Sequence, residues 1–501
     1  MKKALVMAGV AILVITAGAW ASGEDEAAAG ERVHVTGFWS DGVPPPKGRM
    51  LDYINDRFNM DFEIVVIPIA EYTEKLTLAM TAGELADLIQ VRAPTGPGAR
   101  LVRQMIDGEM VIPMDPMLDD YPSLKAYLER PEASRFSKWD GQYYVVPKRY
   151  FYHTTGFYYR KDLLDKHNQP IPEDIEQFGQ VLKTVAQAEG MPGYVSLGLY
   201  FGNHYFYGAY TDVGWGLPAW RWDGSKYVDM SISDEWRMGV ELLRQFYADG
   251  VLDPEFVVLS DFTKFREKFT TGKVVAIPVH VEANYFYDEM VGLTEDTIEG
   301  ADVFVTPPPM TPAGPNNALT GSPYGTVDML ISSQAKHPDR IMALWDFLFS
   351  EEGDLFNFYG IEGVHWDRDA DGNIVPNEEE LAKDTGSPSD PISKWRWFSN
   401  IMPDWIPSYS IEIERQEELI AWGQQHGVSP YVIGFISPTL QRVQADLQKI
   451  RDEFYTGFIT GERPMSDWDE FVSEYRRAGY DDLEMEVQEY CADDTSGKCR
   501  T

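Results

Sequence analysis

Apolar and polar residues alternate in Val33-His34-Val35-Thr36-Gly37-Phe38-Trp39, and alternation with a period of two reads as a strand with one face buried. The apolar spacing becomes helical over residues 53–59 and returns to strand in Phe62-Glu63-Ile64-Val65-Val66-Ile67, so the chain opens as β-α-β. Residues 71–81 carry apolar positions at helical spacing, Gly83 marks the end of that helix, and Asp87-Leu88-Ile89-Gln90-Val91 predicts a third short strand. Strands separated by crossover helices predict a parallel sheet and an α/β fold. Ligands of such sheets bind beyond the carboxyl ends of the strands, which points to the loops Trp39-Ser40-Asp41 and Arg92-Ala93-Pro94-Thr95-Gly96.

The same patterns continue downstream. Strands are predicted over 143–147, 155–159 and 274–277, and helices over 175–189 and 234–248. A stretch rich in Pro, Gly and Asn fills residues 302–328, including Thr306-Pro307-Pro308-Pro309, and a strand-like segment over 326–332 follows it. Stiff proline segments and turn residues mark boundaries, so this stretch reads as a crossing between domains. No internal repeat, low-complexity tail or heptad pattern interrupts the chain.

At 501 residues the chain has room for roughly two to four domains. Its 80 acidic against 43 basic residues give a net charge of -37, and no run of Lys or Arg is present, so nucleic acid and anionic membrane surfaces are excluded as partners. Hydrophobic residues at 44% and aromatic residues at 13% separate it from disordered acidic chains, which lack aromatics.

Lys2-Lys3, an apolar run over 4–19 and Ala19-Trp20-Ala21 form the charged, apolar and cleavage parts of a secretory signal peptide over residues 1–21. The apolar run is shorter than the ~20 residues a membrane span needs, and acidic Glu24-Asp25-Glu26 follows it. No cysteine lies near the cleavage point, so the expectation is a protein free in the periplasm or outside the cell, without a lipid anchor. Cys491 and Cys499, eight residues apart around Gly497, are expected to form one short disulfide in that oxidising compartment.

Sequence signatures of nucleophilic, zinc and P-loop chemistry are absent. A carboxylate pair of the kind glycosidases use needs no local motif, so a secreted glycoside-active enzyme stays open as the alternative.

Several segments, in order along the chain, resemble one family. They are Ala82-Gly83-Glu84-Leu85-Ala86-Asp87-Leu88, Trp139-Asp140-Gly141-Gln142-Tyr143-Tyr144-Val145-Val146-Pro147, Tyr159-Arg160-Lys161-Asp162-Leu163-Leu164, residues 246–256, residues 269–276, Gly360-Ile361-Glu362-Gly363-Val364-His365-Trp366, and residues 458–462 with 468–471. The chain thereby resembles the extracellular solute-binding proteins of carbohydrate-type ABC importers, in their long LplA-like branch. The resemblance implies a two-lobe periplasmic-binding-protein fold of type II, with lobes joined by several hinge crossings and closing on a ligand. Two crossings are expected near 146–157 and 306–311; a third is unplaced. Lobe 1 would comprise residues 22–150 and about 310–365, and lobe 2 residues 151–309 and about 366–501. The implied function is capture of an oligosaccharide by a monomer that delivers it to an ABC permease and performs no reaction; a peptide ligand is the alternative within this class.

A sugar ring offers a flat C–H face to aromatic rings and hydroxyls to Asp, Glu, Asn, His or Arg. On that chemistry and on loop position the candidate ligand-binding residues are Trp39, Asp41, Arg92, His153, His204, Tyr205, Trp215, His280, Glu282 and Trp395. His280 and Glu282 alternate after the 274–277 strand, and the resemblance places that segment beside the ligand. Trp345, inside the amphipathic 341–349 stretch, reads as core. The overall acidity favours a glycan fragment without uronate groups.

Asp367, Asp369, Asp371, Asn373 and Glu378 fit the spacing of a calcium loop, with Gly372 at its sharp bend. The same residues also suit an ordinary hairpin turn. A structural calcium ion is therefore one expectation, and no other cofactor is required. The resemblance offers a second calcium position after the 160–166 helix, but Ala188-Glu189-Gly190-Met191-Pro192-Gly193 there lacks the carboxylates.

Overall fold

The computed structural model describes residues 32–40, 46–67, 71–92, 97–149, 155–211, 219–281, 286–315, 324–384, 395, 398, 406, 410–427, 431–432, 434–435, 437–492, 494 and 497–499. The proposed signal peptide lies outside the described residues.

The chain opens with β1 (Val33–Ser40), α1 (Gly48–Arg57), β2 (Met60–Ile67), α2 (Tyr72–Ala82) and β3 (Leu88–Arg92). β1 pairs in parallel with β2 over its full length, Val33 opposite Met60 and Ser40 opposite Ile67, and with β3 on its other side. Asp87 fixes that second pairing: its carboxylate accepts from the Thr36 amide (2.7 Å) and hydroxyl (2.8 Å), and its amide donates to the same hydroxyl (3.0 Å). α2 stops at Gly83, which adopts a left-handed φ of 71° so that Gly83 and Glu84 amides can reach the last helical carbonyls. A residue with a Cβ would be strained there.

The opening reads as purely parallel, but the finished sheet is mixed. β4 (Val146–Arg149) and β8 (Tyr324–Ile331) complete it in the order β2-β1-β3-β8-β4, with β8 antiparallel to both neighbours. β8 arrives from the other half of the molecule, so it enters at the edge where β1, β2 and β3 end and must run backwards. The apolar strand side chains sort onto two faces, Val35, Leu88, Met329 and Ile331 on one and Ile89, Val91 and Leu330 on the other. Helices cover both; Trp345, in the helix Pro338–Leu348, is buried on the first face as its spacing predicts.

The second lobe is built on β5 (Thr155–Arg160), β6 (Ala276–His280) and β7 (Val303–Thr306), in the antiparallel order β6-β5-β7. Gly156 is required in the middle strand, because a Cβ there would lie 2.5 Å from Val281 and 2.7 Å from Val305. The helices Ile175–Glu189, Asp234–Ala248 and Pro438–Thr460 supply its main core with Phe178, Phe246 and Phe458 against Phe157 and Tyr159. Asp174 caps the first of these through the Glu176 and Gln177 amides. Val432 through Val487 pack in this same core, and Cys491 and Cys499, disulfide-bonded with Cα atoms 5.6 Å apart, flank it.

Two crossings join the sheets, 150–154 between β4 and β5 and 307–323 between β7 and β8. Residues 366–384, grouped with lobe 2 by the sequence reading, make their ion pairs with the first lobe: Arg49 of α1 bonds Glu380 (2.7 Å) and Asp384 (2.7 Å). Asp384 in turn meets the buried His365 ring at 2.9 Å. No helix among the described residues is long and apolar enough to cross a membrane.

Candidate functional site

Strand register gathers the chain ends. Ser40, Ile67, Arg92 and Arg149 end their strands and Tyr324 begins one, all at one edge of the first sheet. In the second sheet Thr155 begins β5 opposite His280, the last residue of β6, and Thr306 ends β7 opposite Phe157. Both crossings run between these two edges, so the edges bound an interlobe site. The connecting loops 41–45, 68–70, 93–96, 150–154, 282–285 and 316–323 lie outside the described residues.

The second-lobe edge carries a continuous wall of rings. His280 is half-buried, and the Phe201 ring meets it edge-on at 5.2 Å. Phe201 also lies 6.0 Å from the half-buried His204, whose Nδ1 is 3.1 Å from both the Gly202 amide and the Tyr200 carbonyl. Tyr158 donates to the His280 carbonyl at 3.1 Å, and its ring stands 6.0 Å from Tyr287. Tyr287 donates to Glu412, a residue held at a left-handed φ of 46° and ψ of 46°, which a non-glycine residue adopts only under constraint.

Glu412 precedes α3 (Ile413–His426), and a hollow of about 540 Å³ opens at that helix start, lined by Ser410, Glu412, Ile413, Glu414, Arg415 and Glu418. The Arg415 guanidinium is committed to the Val305 carbonyl (3.0 and 2.5 Å) and to Glu418 (2.6 Å), and it lies 4.9 Å over the Phe304 ring. The hollow therefore presents more acceptors than donors. Behind it, burial pushes the Asp288 carboxyl up to about 6, against the opposing hydrogen bond from Gln416 Nε2 at 2.9 Å.

The sequence-derived candidates divide. His204 and His280 come together on this wall through Phe201. Tyr205 touches it, with its ring 4.0 Å from His204, but points inward: it is fully buried, 5.2 Å from Phe157 in the second-lobe core. Trp39 and Trp395, offered as sugar-stacking residues, are corrected to core residues at 1% and 0% exposure. Trp39 packs on Phe398 at 4.9 Å, and Trp395 on Phe62 at 5.2 Å and on Phe398 at 5.6 Å. The alternation that ends β1 directs Trp39 onto the sheet face covered by this cluster rather than past the strand end. Asp41, His153, Trp215, Glu282 and the side chain of Arg92 lie outside the described residues.

Phe201 and the Glu412–Arg415 turn stand beside these candidates without being among them, while Tyr158, which bonds the His280 carbonyl, is fully buried in the core. The aromatic run 200–207 contains Phe201, which precedes the short helix His204–Tyr207 and stays half-buried while Tyr205, Phe206 and Tyr207 are buried. Nothing local marked Glu412, whose side-chain partner Tyr287 lies 125 residues earlier.

The expected calcium loop is a hairpin of Trp366–Arg368 with Ile374–Pro376. Asp369 accepts from the Asp371 amide (2.9 Å), the Asn373 amide (2.8 Å) and Asn373 Nδ2 (3.0 Å), and the hydrogen bonds from Asn373 hold its carboxyl below the ordinary aspartate range. The carboxylate thus serves the turn rather than turning inward with Asp367 and Asp371. Among the described residues no three His, Cys, Asp or Glu side chains converge as metal ligands; the side chain of Glu378 lies outside them.

Comparison with known proteins adds three findings. Residues 49–354 match the family model described as bacterial extracellular solute-binding protein. The polygalacturonan/rhamnogalacturonan-binding protein YtcQ of Bacillus subtilis (strain 168) is 23% identical over 463 residues, covering 89% of this chain and 88% of its own. Among solved structures, the alginate-binding protein AlgQ2 in its calcium-free form superposes with a TM-score of 0.69 at 17% identity, over 93% of this chain and 99% of that one. A solute-binding protein of Bifidobacterium longum infantis described as binding HMO superposes with a TM-score of 0.68 at 15% identity, over 92% and 98%.

Proposed function

Starting from a chain that belongs to the bacterial extracellular solute-binding protein family, we propose that it captures an oligosaccharide between its lobes for an ABC importer. The observation that carries this reading is the half-buried wall of Phe201, His204 and His280, standing where two crossings join facing strand edges. Flat rings suit the C–H face of a sugar, and imidazoles suit its hydroxyls. The relatives support the substrate class, since YtcQ, AlgQ2 and the Bifidobacterium protein are all described as binding saccharides.

The chemistry is binding without conversion. A ligand that touches both edges favours the arrangement in which they are close, and a permease that recognises that arrangement receives the loaded form. The protein acts after export, as a single chain. The acidic hollow beside Glu412, Glu414 and Glu418 favours neutral oligosaccharides over uronate polymers, because a carboxylate ligand there would meet like charge.

The test is calorimetric titration and thermal shift with neutral oligosaccharides, galacturonate oligomers and peptides, together with chromatography of each saccharide after incubation. Binding to the native state raises the melting temperature, so one saccharide class should stabilise the protein and be recovered intact. A shift with peptides alone would overturn the substrate class, and a cleaved saccharide would replace the receptor by an enzyme.

A further inference from the structure

The C-terminal segment leaves the second lobe and reaches into the first. Tyr490, Cys491 and Cys499 pack on the second-lobe core, and Cys499 bridges backbone to backbone with Val432. The disulfide closes the segment into a loop, and the Asp494 carboxylate takes the Cys499 amide at 2.7 Å to tighten it. The residue before the second cysteine, Lys498, is directed away from this lobe. Its ammonium sits 3.8 Å from the centre of the Trp139 ring, which belongs to the first-lobe core. Arg135, also of the first lobe, donates its Nε to the Gly497 carbonyl next door.

Lys498 is only 7% exposed, an unusual state for a lysine. The reason lies in β8. Asp328, on the sheet face that carries Leu330 and Val91, is fully buried, and its carboxylate has no hydrogen-bond partner among the described residues. Lys498 is the opposite charge acting on it. Asp140, Asp494 and Arg103 are the other charges around the ammonium. Burial draws the lysine down to about 8 and pushes the aspartate well up, as expected of charges taken out of water.

We propose that the Cys491–Cys499 loop is an interlobe latch: the disulfide presents Lys498 to the Trp139 ring of the first lobe, beside the Arg135–Gly497 hydrogen bond, and these contacts tie the two lobes together at this face. Withdrawing the lysine leaves an indole face without its cation and breaks the Arg135–Gly497 hydrogen bond, so separation of the lobes at this face carries a cost that the disulfide maintains. Without the covalent closure the segment is tied to the second lobe less firmly, and ordering a long lysine side chain is opposed by its entropy.

The test needs no ligand, so its failure leaves the receptor reading untouched. Small-angle scattering and amide exchange are measured on the full chain before and after reduction with a phosphine, and on Lys498→Met, which keeps the stem and removes the charge. The expected result is a larger radius of gyration in both, with amides of residues 138–146 exchanging about ten-fold faster while those of 438–460 are unchanged. Lys449→Met, at an exposed residue paired with Glu453, should change neither reading. Should Lys498→Met fail to fold, reduction of the folded parent reads the same contact. Scattering curves that superpose on the parent, with unaltered exchange at 138–146, would overturn the latch.

Discussion

The two lobes each gather aromatic rings near a strand end, and they use them in opposite ways. In the first lobe, Trp39, Phe62, Trp395 and Phe398 close on one another at centroid distances of 4.9 to 5.8 Å and exclude water. In the second, Phe201 lies between two imidazoles that stay half-buried, and a tyrosine hydroxyl ties the strand end in place. The difference comes from what covers each cluster. A segment near residue 395 returns to seal the first, whereas the second abuts the edge from which the crossings leave. Ring content therefore says little about ligand contact, and burial on the available side decides it.

The strongest way to break this comparison is Trp395→Ala. As a buried indole it should cost about 3–5 kcal/mol of stability in urea unfolding, by lost burial and the cavity left behind. Unchanged stability with lost saccharide affinity would make it a ligand contact after all.

Next comes the pH dependence of the second wall. The folded pKa of Asp288 lies near 6, above its ordinary value, so the folded state holds the proton more tightly. Its stabilising contribution is complete below about pH 4 and is lost as pH rises through 6, a fall on the order of 2 kcal/mol. Asp288→Asn should lack this slope in urea titrations between pH 4 and 7. Identical slopes in the two proteins would remove the aspartate from the account.

His280→Ala should then weaken saccharide binding about ten-fold, or about 1.4 kcal/mol, while moving the unfolding midpoint little because the ring is half-exposed. Equal losses of stability and affinity would assign the ring to packing instead. The smallest effect is expected at the hairpin. Asp369→Ala should loosen amides 369–374 in exchange measurements and shift Tm by less than about 2 °C, with or without calcium. A calcium-dependent rise in Tm that this variant abolishes would restore a cation to that loop.

The β-α-β opening was legible because each element obeys its own local periodicity: β1, β2 and α2 depend on residues within a few positions, and Gly83 stops its helix by a conformation any chain would need there. The proline and turn residues of 302–328 marked the connection between β7 and β8, again a local signal. His204 and His280 lie together because His204 opens a short helix and His280 ends β6, and both stay half-buried beside Phe201. Trp39 was misplaced because a strand that ends at a cleft still has a buried face, and alternation does not say which face another segment will cover. The 367–378 spacing left a calcium loop and a hairpin turn both open, and the Asp369 carboxylate bonds its own turn.

What the sequence determined by itself is the set of elements, their approximate ends, the disulfide and the overall acidity, all properties of neighbouring residues. The tertiary structure alone decided that β8 runs antiparallel, that Phe398 packs on Trp39, that Tyr287 bonds Glu412 in a left-handed turn, and that Lys498 meets Trp139 across 359 positions of chain. Burial and counter-charge are relations between segments far apart in the chain, and periodicity carries no information about which segments will meet.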